Sequence, residues 1–472
     1  MLARLGVAAL TFAIPMVLAR LLLPASYGTF KQAWLLSNTL FVVLPFGLTP
    51  SLVYFIPREP EKKAIWVTHV LAITTGVGLL GGVLMLLCGP LVARQFHNDE
   101  LLRMMPIVAA FTFFRIAATS FDVSYMAAGR IKASAITRVA SEGFYTACLL
   151  AGALGTGTLE GAFLGMALGT GAKMLLCWFM LIREHGLAFS LPDLKRQLAY
   201  ALPFGAAFAI IIPQQQFHSY LVSATVTAAA FAVYSVGCFQ LPIVDMLYTP
   251  VSEILQLGIA EHDAHNDNEG AAQLFREAVA KLSFVFLPTM ALLSIVAPTL
   301  ITFFFTAKYL DSVPIFRLAI VSIPMAALPL DGVMRARAQN KFVFRVSVLK
   351  LVLTVPLVYF GLHRFGPIGA LGGWIAAEET CRVLLLHRAA KLFGHSIIGA
   401  LPRELWFQVL AAMLAVPGAV LALRIAAGPL LLQLCVCGSV YAAGYLVALR
   451  AMGQLPPLKM WIPRRAPAAA VA

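Results

Sequence analysis

Residues 65–90 read IWVTHVLAITTGVGLLGGVLMLLCGP, a stretch of 26 residues without a single Asp, Glu, Lys or Arg. The hydrocarbon core of a bilayer is about 30 Å thick, so about 20 apolar residues in a helix are enough to cross it. Because this stretch is uncharged and exceeds that length, we predict that it is a membrane-spanning helix.

Apolar stretches of this kind recur along the whole chain of 472 residues, which predicts an all-α polytopic membrane protein. Only 12% of the residues are charged and 60% are hydrophobic, whereas about a quarter of a soluble domain is charged. We expect about 14 transmembrane helices, at about residues 3–23, 35–56, 65–90, 104–126, 139–155, 160–182, 198–219, 228–250, 281–302, 314–333, 345–362, 367–387, 404–424 and 429–449.

Basic residues are distributed unevenly between the two alternating sets of loops. One set, together with both tails, holds twenty-three Lys and Arg, including Arg138, whereas the other holds eight, including Lys31. Basic flanks of spanning helices are retained in the cytoplasm, so we predict cytoplasmic N and C termini. The net charge of +14 is scattered over short loops, which favours contact with anionic membrane lipids and argues against a nucleic-acid partner.

The seven cysteines all lie in apolar runs, and none has the Cys-x-x-Cys spacing of a metal or redox site. We therefore expect no metal and no cofactor. No enzymatic motif is present, and no loop on the outer side exceeds about fifteen residues in this division of the chain. This pattern favours a transporter over a receptor or a membrane enzyme.

An internal repeat predicts two lobes. Residues 128–132 (AGRIK) are answered by residues 338–341 (AQNK), and residues 161–165 (GAFLG) by residues 369–373 (GALGG), with spacings of 208 to about 210. Two like-oriented lobes are a common transporter plan. The predicted division is a six-helix lobe at 1–190, a second at 191–400, two additional transmembrane helices at 401–450 and a cytoplasmic tail at 451–472.

The residues 18–30 (LARLLLPASYGTF) resemble the segment that ends the first helix in polysaccharide transporters, the O-antigen and exopolysaccharide flippases. These belong to the multidrug/oligosaccharidyl-lipid/polysaccharide flippase superfamily. The turn Ala-Ala-Gly-Arg at 127–130 and the stretch 303–311 are similar as well. Residues 23–26 (LPAS) depart from the more usual Gly-Pro-Glu. The resemblance implies a two-lobed fold and export of undecaprenyl-diphosphate-linked glycans by alternating access.

Four cations lie inside predicted spans, where an ionised group is costly unless it is paired or hydrated. Arg115, Lys173, Lys350 and Arg382 are therefore candidates for binding the diphosphate headgroup of a lipid-linked substrate. The structural alternatives are ion pairs with neighbouring helices and, for Lys350, extension of the side chain to the cytoplasmic surface.

Three carboxylates are candidates for coupling transport to an ion gradient. Asp122 follows Arg115 by seven residues and would share its helical face. Glu378 precedes Arg382 by one turn and would pair with it. Asp245 lies at the end of the eighth segment, where a buried carboxylate would exchange a proton. We expect solvated faces to explain Glu142 and Asp331.

The seventh segment contains an unusual polar run, Gln214, Gln215, Gln216 and His218. These side chains are candidates for hydrogen bonds to sugar hydroxyls. The structural alternative is hydrogen bonding between helices.

We interpret the chain as a flippase that moves an undecaprenyl-diphosphate-linked oligosaccharide across the bacterial inner membrane for cell-surface polysaccharide biosynthesis. Glycan polymerase or ligase machinery is a candidate partner. One alternative is a cation-coupled multidrug antiporter of the same superfamily, which would need several buried carboxylates. Another is a membrane-embedded glycan ligase or polymerase, which would need a large outer loop.

Overall fold

The computed structural model describes residues 2–239, 241–426 and 428–455, and the α-helices of these ranges account for most of them, with no strand. The predicted all-α class is confirmed. In chain order the helices are α1 (Leu2–Leu21), α2 (Pro24–Val43), α3 (Leu48–Arg58), α4 (Lys63–Gln95), α5 (Asp99–Ala117), α6 (Phe121–Ala127), α7 (Ile131–Thr156), α8 (Leu159–His185), α9 (Leu191–Ser223), α10 (Ala228–Gly237), α11 (Pro242–Ala264), α12 (Asn268–Phe305), α13 (Val313–Ala319), α14 (Leu330–Ala336), α15 (Asn340–Phe393), α16 (Ile397–Ala400), α17 (Glu404–Ile425) and α18 (Leu430–Ala451).

Ten helical stretches among the described residues are long and apolar enough to span a membrane, which makes the chain a multi-pass membrane protein. The predicted number of fourteen spans stays a prediction. The 54 residues of α15 cover two predicted segments, and the helix breaks at Gly366, whose φ of 67° is in the left-handed region. The two arms of α15 pack against each other closely, since a Cβ on Gly361 would meet the carbonyl oxygen of Gly369 at 2.1 Å.

The connection between α1 and α2 is much shorter than the sequence suggested. Residues 24–34 were expected to form an outer loop, but α2 begins at Pro24. Proline fits the first position of a helix because the N–H that it lacks would have no helical partner there. Lys31 therefore lies within α2, and its assignment to a loop was wrong.

The predicted fourth segment, 104–126, is two helices rather than one. α5 ends at Ala117 and α6 begins at Phe121. Arg115 is in the last turn of α5, and Asp122 is in the first turn of α6. The prediction that these two residues share one face of a continuous helix was therefore wrong.

The internal repeat is visible in the backbone. α6 and α14 are seven residues each, and they end in the same type of turn. The N–H of Arg130 donates to the carbonyl of Tyr125 at 2.9 Å, and the N–H of Gln339 donates to that of Met334 at 2.9 Å. Both turns pass through a left-handed residue, Gly129 in the first and Ala338 in the second. This six-to-one hydrogen bond is the Schellman motif that often ends a helix.

The described residues fall into two compact units. The first comprises the described residues of 1–242, 304–318 and 347–378, and the second the described residues of 243–303, 319–346 and 379–472. In the first unit, α3, α4, α6 and α8 contribute to a core around Trp66 and Phe121. In the second, α11, α12, α14 and α15 contribute to one around Phe275 and Phe393. The predicted divisions at 190, 400 and 450 stay predictions.

Polar contacts hold the first part of α9 against α3 and α4. The amide of Gln197 is fully buried and donates to Ser51 Oγ at 2.9 Å. Beside it, Arg196 pairs with Glu59 at 2.6 Å and with Asp193 at 3.0 Å. The Arg196 guanidinium, by hydrogen bonding to the Glu59 carboxylate, holds the pKa of that group below its usual value.

Close helix packing in the first unit generates a stability prediction. A Cβ on Gly152 of α7 would lie 2.0 Å from the carbonyl oxygen of Gly161 in α8, whereas one on Gly143 of α7 would meet nothing within 4 Å. We expect Gly152→Ala to lower the thermal unfolding temperature of the purified protein. Gly143→Ala should be neutral or stabilising, because alanine favours a helix over glycine by about 1 kcal/mol. Equal unfolding temperatures for both variants would contradict this packing.

The turn after α14 generates a second prediction. Ala338 has a φ of 50°, where an L-residue costs about 1 kcal/mol relative to glycine. Ala338→Gly should therefore raise the unfolding temperature, because the strain that it relieves outweighs the flexibility that glycine adds to the unfolded chain. Gly129→Ala, at the equivalent turn after α6, should lower it. The opposite signs of the two changes are the result to check.

Candidate functional site

A cavity of about 600 Å³ lies within the first unit, which is in the range of ligand-binding pockets. Helices α1, α2, α3, α5, α6, α7 and α8 all contribute to its walls. Its charged lining residues are four cations and two carboxylates: Lys31, Arg115, Arg138, Lys173, Asp122 and Glu142. Three of the residues selected from the sequence, Arg115, Lys173 and Asp122, therefore meet in one cavity.

The guanidinium of Arg115 is held by aromatic rings. Its central carbon lies 4.0 Å from the ring centroid of Phe41 and 4.5 Å from that of Trp34. One terminal nitrogen, Nη2, donates to Asn38 Oδ1 at 3.0 Å. The other, Nη1, has no hydrogen-bond partner among the described residues. The side chain is thus fixed in place, and one nitrogen of its guanidinium is left unsatisfied.

The two carboxylates of the cavity each lie beside a cation. Lys173 Nζ is 2.9 Å from Glu142 Oε1, and Arg138 Nε is 4.0 Å from Asp122 Oδ2. Glu142 was expected on a solvated face, and this expectation was wrong: it lines the cavity from α7. The side chains of Lys173 and Glu142 are 16% and 31% exposed, so their pairing is only partly screened.

Two cations of the cavity remain without a carboxylate partner among the described residues, Lys31 and Arg115. The cavity therefore carries an excess of positive charge. The sequence reasoning overlooked Lys31 and Arg138 because both were placed in loops. The proline at the start of α2 was the signal that could have identified Lys31 as a residue of a helix.

The remaining candidate ions do not line this cavity. Lys350 Nζ is 2.9 Å from Glu378 Oε2, and both side chains are 19% exposed. Within the first unit Glu378 thus pairs with the other arm of α15, and its predicted pairing with Arg382 stays a prediction. Arg382 is half-buried. Asp245 is exposed in the first turn of α11, so the expectation of a buried carboxylate there was wrong.

Two members of the polar run in α9 bond to neighbouring helices. Gln214 is buried and donates to Thr354 Oγ1 at 3.3 Å, and buried His218 lies with its Nδ1 2.6 Å from the hydroxyl of Tyr234. These contacts are those of the structural alternative. Gln215 is exposed and Gln216 is half-buried, and their predicted contact with a glycan stays a prediction.

The sequence matches the family described as polysaccharide biosynthesis protein over residues 17–314. No curated protein matches it. The match covers most of the cavity-lining helices, so the family resemblance seen in the sequence is confirmed.

Solved structures of similar fold are transporters. A lipid II flippase, MurJ, in an inward-closed conformation is 15% identical to this chain, with a TM-score of 0.68. The similarity covers 94% of this chain and 99% of that chain. A multidrug resistance MATE family transporter of the MOP superfamily, inward-facing, is 15% identical, with a TM-score of 0.64 and coverages of 83% and 94%. A third structure is a MOP superfamily transporter from Pyrococcus furiosus, whose binding pocket is described as reversed in polarity. It is 15% identical, with a TM-score of 0.51, and the similarity covers 82% of this chain and 96% of that chain. At these identities the likeness concerns the fold.

The pair Lys173–Glu142 generates a prediction. Replacing Lys173 by Met leaves a partly buried carboxylate without its cation, which should cost about 1–3 kcal/mol of unfolding free energy. The double variant Lys173→Met with Glu142→Leu should recover most of that loss, because no uncompensated charge remains. Thermal unfolding of the purified variants measures both effects. A double variant no more stable than Lys173→Met would show that the two side chains do not compensate each other.

Proposed function

Because the chain belongs to the polysaccharide biosynthesis protein family, we propose that it is a flippase for an undecaprenyl-diphosphate-linked oligosaccharide in the bacterial inner membrane. The observation that carries the proposal is the cationic cavity among α2, α5, α6, α7 and α8. A diphosphate that links a lipid to a sugar is a dianion at neutral pH. Two cations without carboxylate partners in a cavity suit such a headgroup.

Arg115 is the residue that we assign first to the diphosphate. Its planar guanidinium can hold phosphate oxygens through two parallel hydrogen bonds, and the stacked Phe41 and Trp34 reduce the freedom that binding would otherwise remove. Lys173 is the second. It can exchange its contact with Glu142 for a phosphate oxygen without leaving the cavity.

The cavity offers the other groups that a glycan needs. Four threonines line it, Thr49, Thr119, Thr146 and Thr170, and Trp34 and Tyr145 supply aromatic surface. In the proposed cycle the headgroup enters from the cytoplasm, the isoprenoid tail remains in lipid, and alternating access exposes the headgroup on the outer side. The cost of several kcal/mol for moving an ionised group through hydrocarbon is avoided because the cavity supplies compensating charge.

Coupling and partners follow as part of the same proposal. Asp122 is the coupling carboxylate that we favour, since it lies in the cavity beside Arg138. Glu378, paired with Lys350, is the second. Cytoplasmic termini and contact with membrane lipids fit the distribution of basic residues. The machinery that polymerises or ligates the glycan is the expected protein partner.

The fold is also that of multidrug transporters, so a cation-coupled antiporter is the second candidate. An organic cation would require the carboxylates Asp122 and Glu142 to be available, but each lies beside a cation in this cavity. Repulsion by Lys31 and Arg115 opposes such a ligand as well. A glycan ligase or polymerase is less well supported, because the helices of the described residues are joined by short connections.

Arg115→Ala tests the proposal. In a strain that depends on this chain for surface glycan, we expect loss of the glycan at unchanged protein abundance in the membrane. With purified protein, binding of undecaprenyl diphosphate should weaken by about 10- to 100-fold, the usual value of a charge-assisted hydrogen bond. Arg115→Lys should bind with intermediate affinity, because the charge remains but the planar fork is lost.

The matched control is Arg183→Ala, which removes an exposed arginine near the end of α8. It should leave both glycan and binding unchanged. Normal glycan in Arg115→Ala at normal abundance would refute the assignment. Binding of ethidium by the wild-type protein, without binding of undecaprenyl diphosphate, would favour the antiporter.

A further inference from the structure

The connection between α8 and α9 is short, extended and apolar. Residues 186–190 are not helical, and the left-handed Gly186, with a φ of 74°, separates them from α8. Leu187, Phe189 and Leu191 are 63%, 63% and 55% exposed, whereas the two residues between them are half-buried. Successive side chains of an extended segment point to opposite faces, so the three large apolar side chains share the outward face. We call residues 187–191 the apolar strap.

The inner face of the strap is bound to α4. The N–H of Ala188 donates to Thr68 Oγ1 at 3.2 Å, and the N–H of Ser190 donates to His69 Nε2 at 3.3 Å. His69 is fully buried, and its ring meets the ring of Phe189 edge-on, with 5.1 Å between the centroids. Because these contacts fix the backbone and one ring, the strap presents its apolar face in one orientation.

The apolar face of the strap needs a cover, because three large apolar side chains side by side are unfavourable in water. The strap connects Phe179 of α8 and Leu202 of α9, which are both exposed and lie within predicted spans, where they would face lipid. It lies at the ends of α8 and α9 that are predicted to be cytoplasmic. An apolar segment at such a position can lie in the boundary between lipid headgroups and acyl chains.

Lys63 and Lys195 lie at the two ends of the strap. Lys63, the first residue of α4, is within electrostatic range of His185, which directly precedes Gly186. Lys195 follows Leu191 by about one turn of α9. Neither ammonium forms an ion pair among the described residues.

Most carboxylates around the strap are already paired with other cations. Glu184 pairs with Arg130, and Asp193 pairs with Lys62 at 3.1 Å. Glu61 is exposed, so one negative charge opposes the two unpaired ammonium groups. An excess of positive charge beside an apolar face matches an anionic phospholipid, which joins a phosphate and acyl chains in one molecule.

We propose that the apolar strap and the two lysines form a docking surface for anionic phospholipids of the cytoplasmic leaflet. Acyl chains pack against Leu187, Phe189 and Leu191, and a headgroup phosphate binds the lysine at each end, Lys63 or Lys195. The bound lipids hold the connection between the two predicted lobes at the membrane surface. This inference goes beyond the proposed function, because it concerns lipids that surround the protein and not the molecule that it transports.

The test places a reporter in the strap and measures which lipid contacts it. Full-length protein carrying Phe189→Trp is placed in vesicles of equal amounts of phosphatidylglycerol and phosphatidylcholine, and the fluorescence of the unchanged protein is subtracted. Bromine atoms on the acyl chains of one lipid quench a tryptophan that this lipid contacts. We expect both brominated lipids to quench the added fluorescence, with an affinity about tenfold higher for phosphatidylglycerol.

Two double variants, each combined with the reporter, locate the effect of charge. Lys63→Gln with Lys195→Gln should lower the preference to about one, while quenching by phosphatidylcholine persists. Lys195→Gln alone should lower it in part. Arg94→Gln with Arg103→Gln removes two exposed cations from α4 and α5 with the same change in charge, and it should leave the preference unchanged. Leu187→Trp serves as a second reporter, and thermal unfolding shows whether each variant is folded.

Three results would overturn the proposal. Absence of quenching by either lipid would mean that the strap is covered by something other than the bilayer. Equal quenching by both lipids would leave contact with the membrane but refute an anionic docking surface. A preference that survives the loss of both lysines would refute their assignment. Binding of undecaprenyl diphosphate is measured separately, so the proposed function can fail or stand independently of these results.

Discussion

The constraint on which the structure depends is the need to satisfy backbone hydrogen bonds where no water is available. In hydrocarbon every N–H and C=O must find a partner within the protein, so spanning segments are helical and irregular backbone survives only inside protein or along a water-filled cavity. Two breaks in this chain obey that rule. The break between α2 and α3 contributes Pro45 and Gly47 to the cavity wall, and the break between α5 and α6 contributes Ala118 and Thr119.

These breaks also bring the candidate side chains to the cavity. Thr49, just after the first break, lies with its hydroxyl 3.2 Å from that of Thr119 in the second. Arg115 lies just before the second break and Asp122 just after it, so the change in helix direction lets both line one cavity. The sequence analysis placed both residues on one face of a continuous helix. They do line one cavity, but they do so because α5 and α6 are separate helices.

Charge burial explains which parts of the site could be found from the sequence. A charge in the middle of an apolar run is conspicuous, and Arg115, Lys173 and Asp122 were selected on that ground alone. Lys31 and Arg138 were assigned to loops and Glu142 to a solvated face, because each lies near the end of an apolar run, where a charge is usually solvated. Hydropathy does not locate a helix end to within a turn, and one turn decides whether such a side chain faces water or a cavity.

For the polar run in α9, an unusual polar residue in an apolar segment was a misleading signal of a binding site. Gln214 and His218 were selected because amides and imidazoles are unusual in lipid, yet both are satisfied by Thr354 and Tyr234. Sequence alone cannot separate a polar group that bonds to a neighbouring helix from one that awaits a ligand, because the partner belongs to a distant segment.

The repeat shows where the two halves of the chain differ in chemistry. Asp122 and Asp331 are 209 residues apart, and each is the second residue of a seven-residue helix, α6 or α14. Asp331 accepts a hydrogen bond from Ser252 at 2.9 Å and pairs with Arg335, so an aspartate at this position can serve the packing of its own half.

Arg115 has no such counterpart, since the residue 209 positions later is Pro324. Lys173, by contrast, aligns with Arg382 at the same spacing. A feature present in both halves is adequately explained by the fold that they share. A half-buried arginine present in one half alone, held by two aromatic rings and with one guanidinium nitrogen that has no partner among the described residues, requires another explanation, and the diphosphate that we propose for this cavity would supply it.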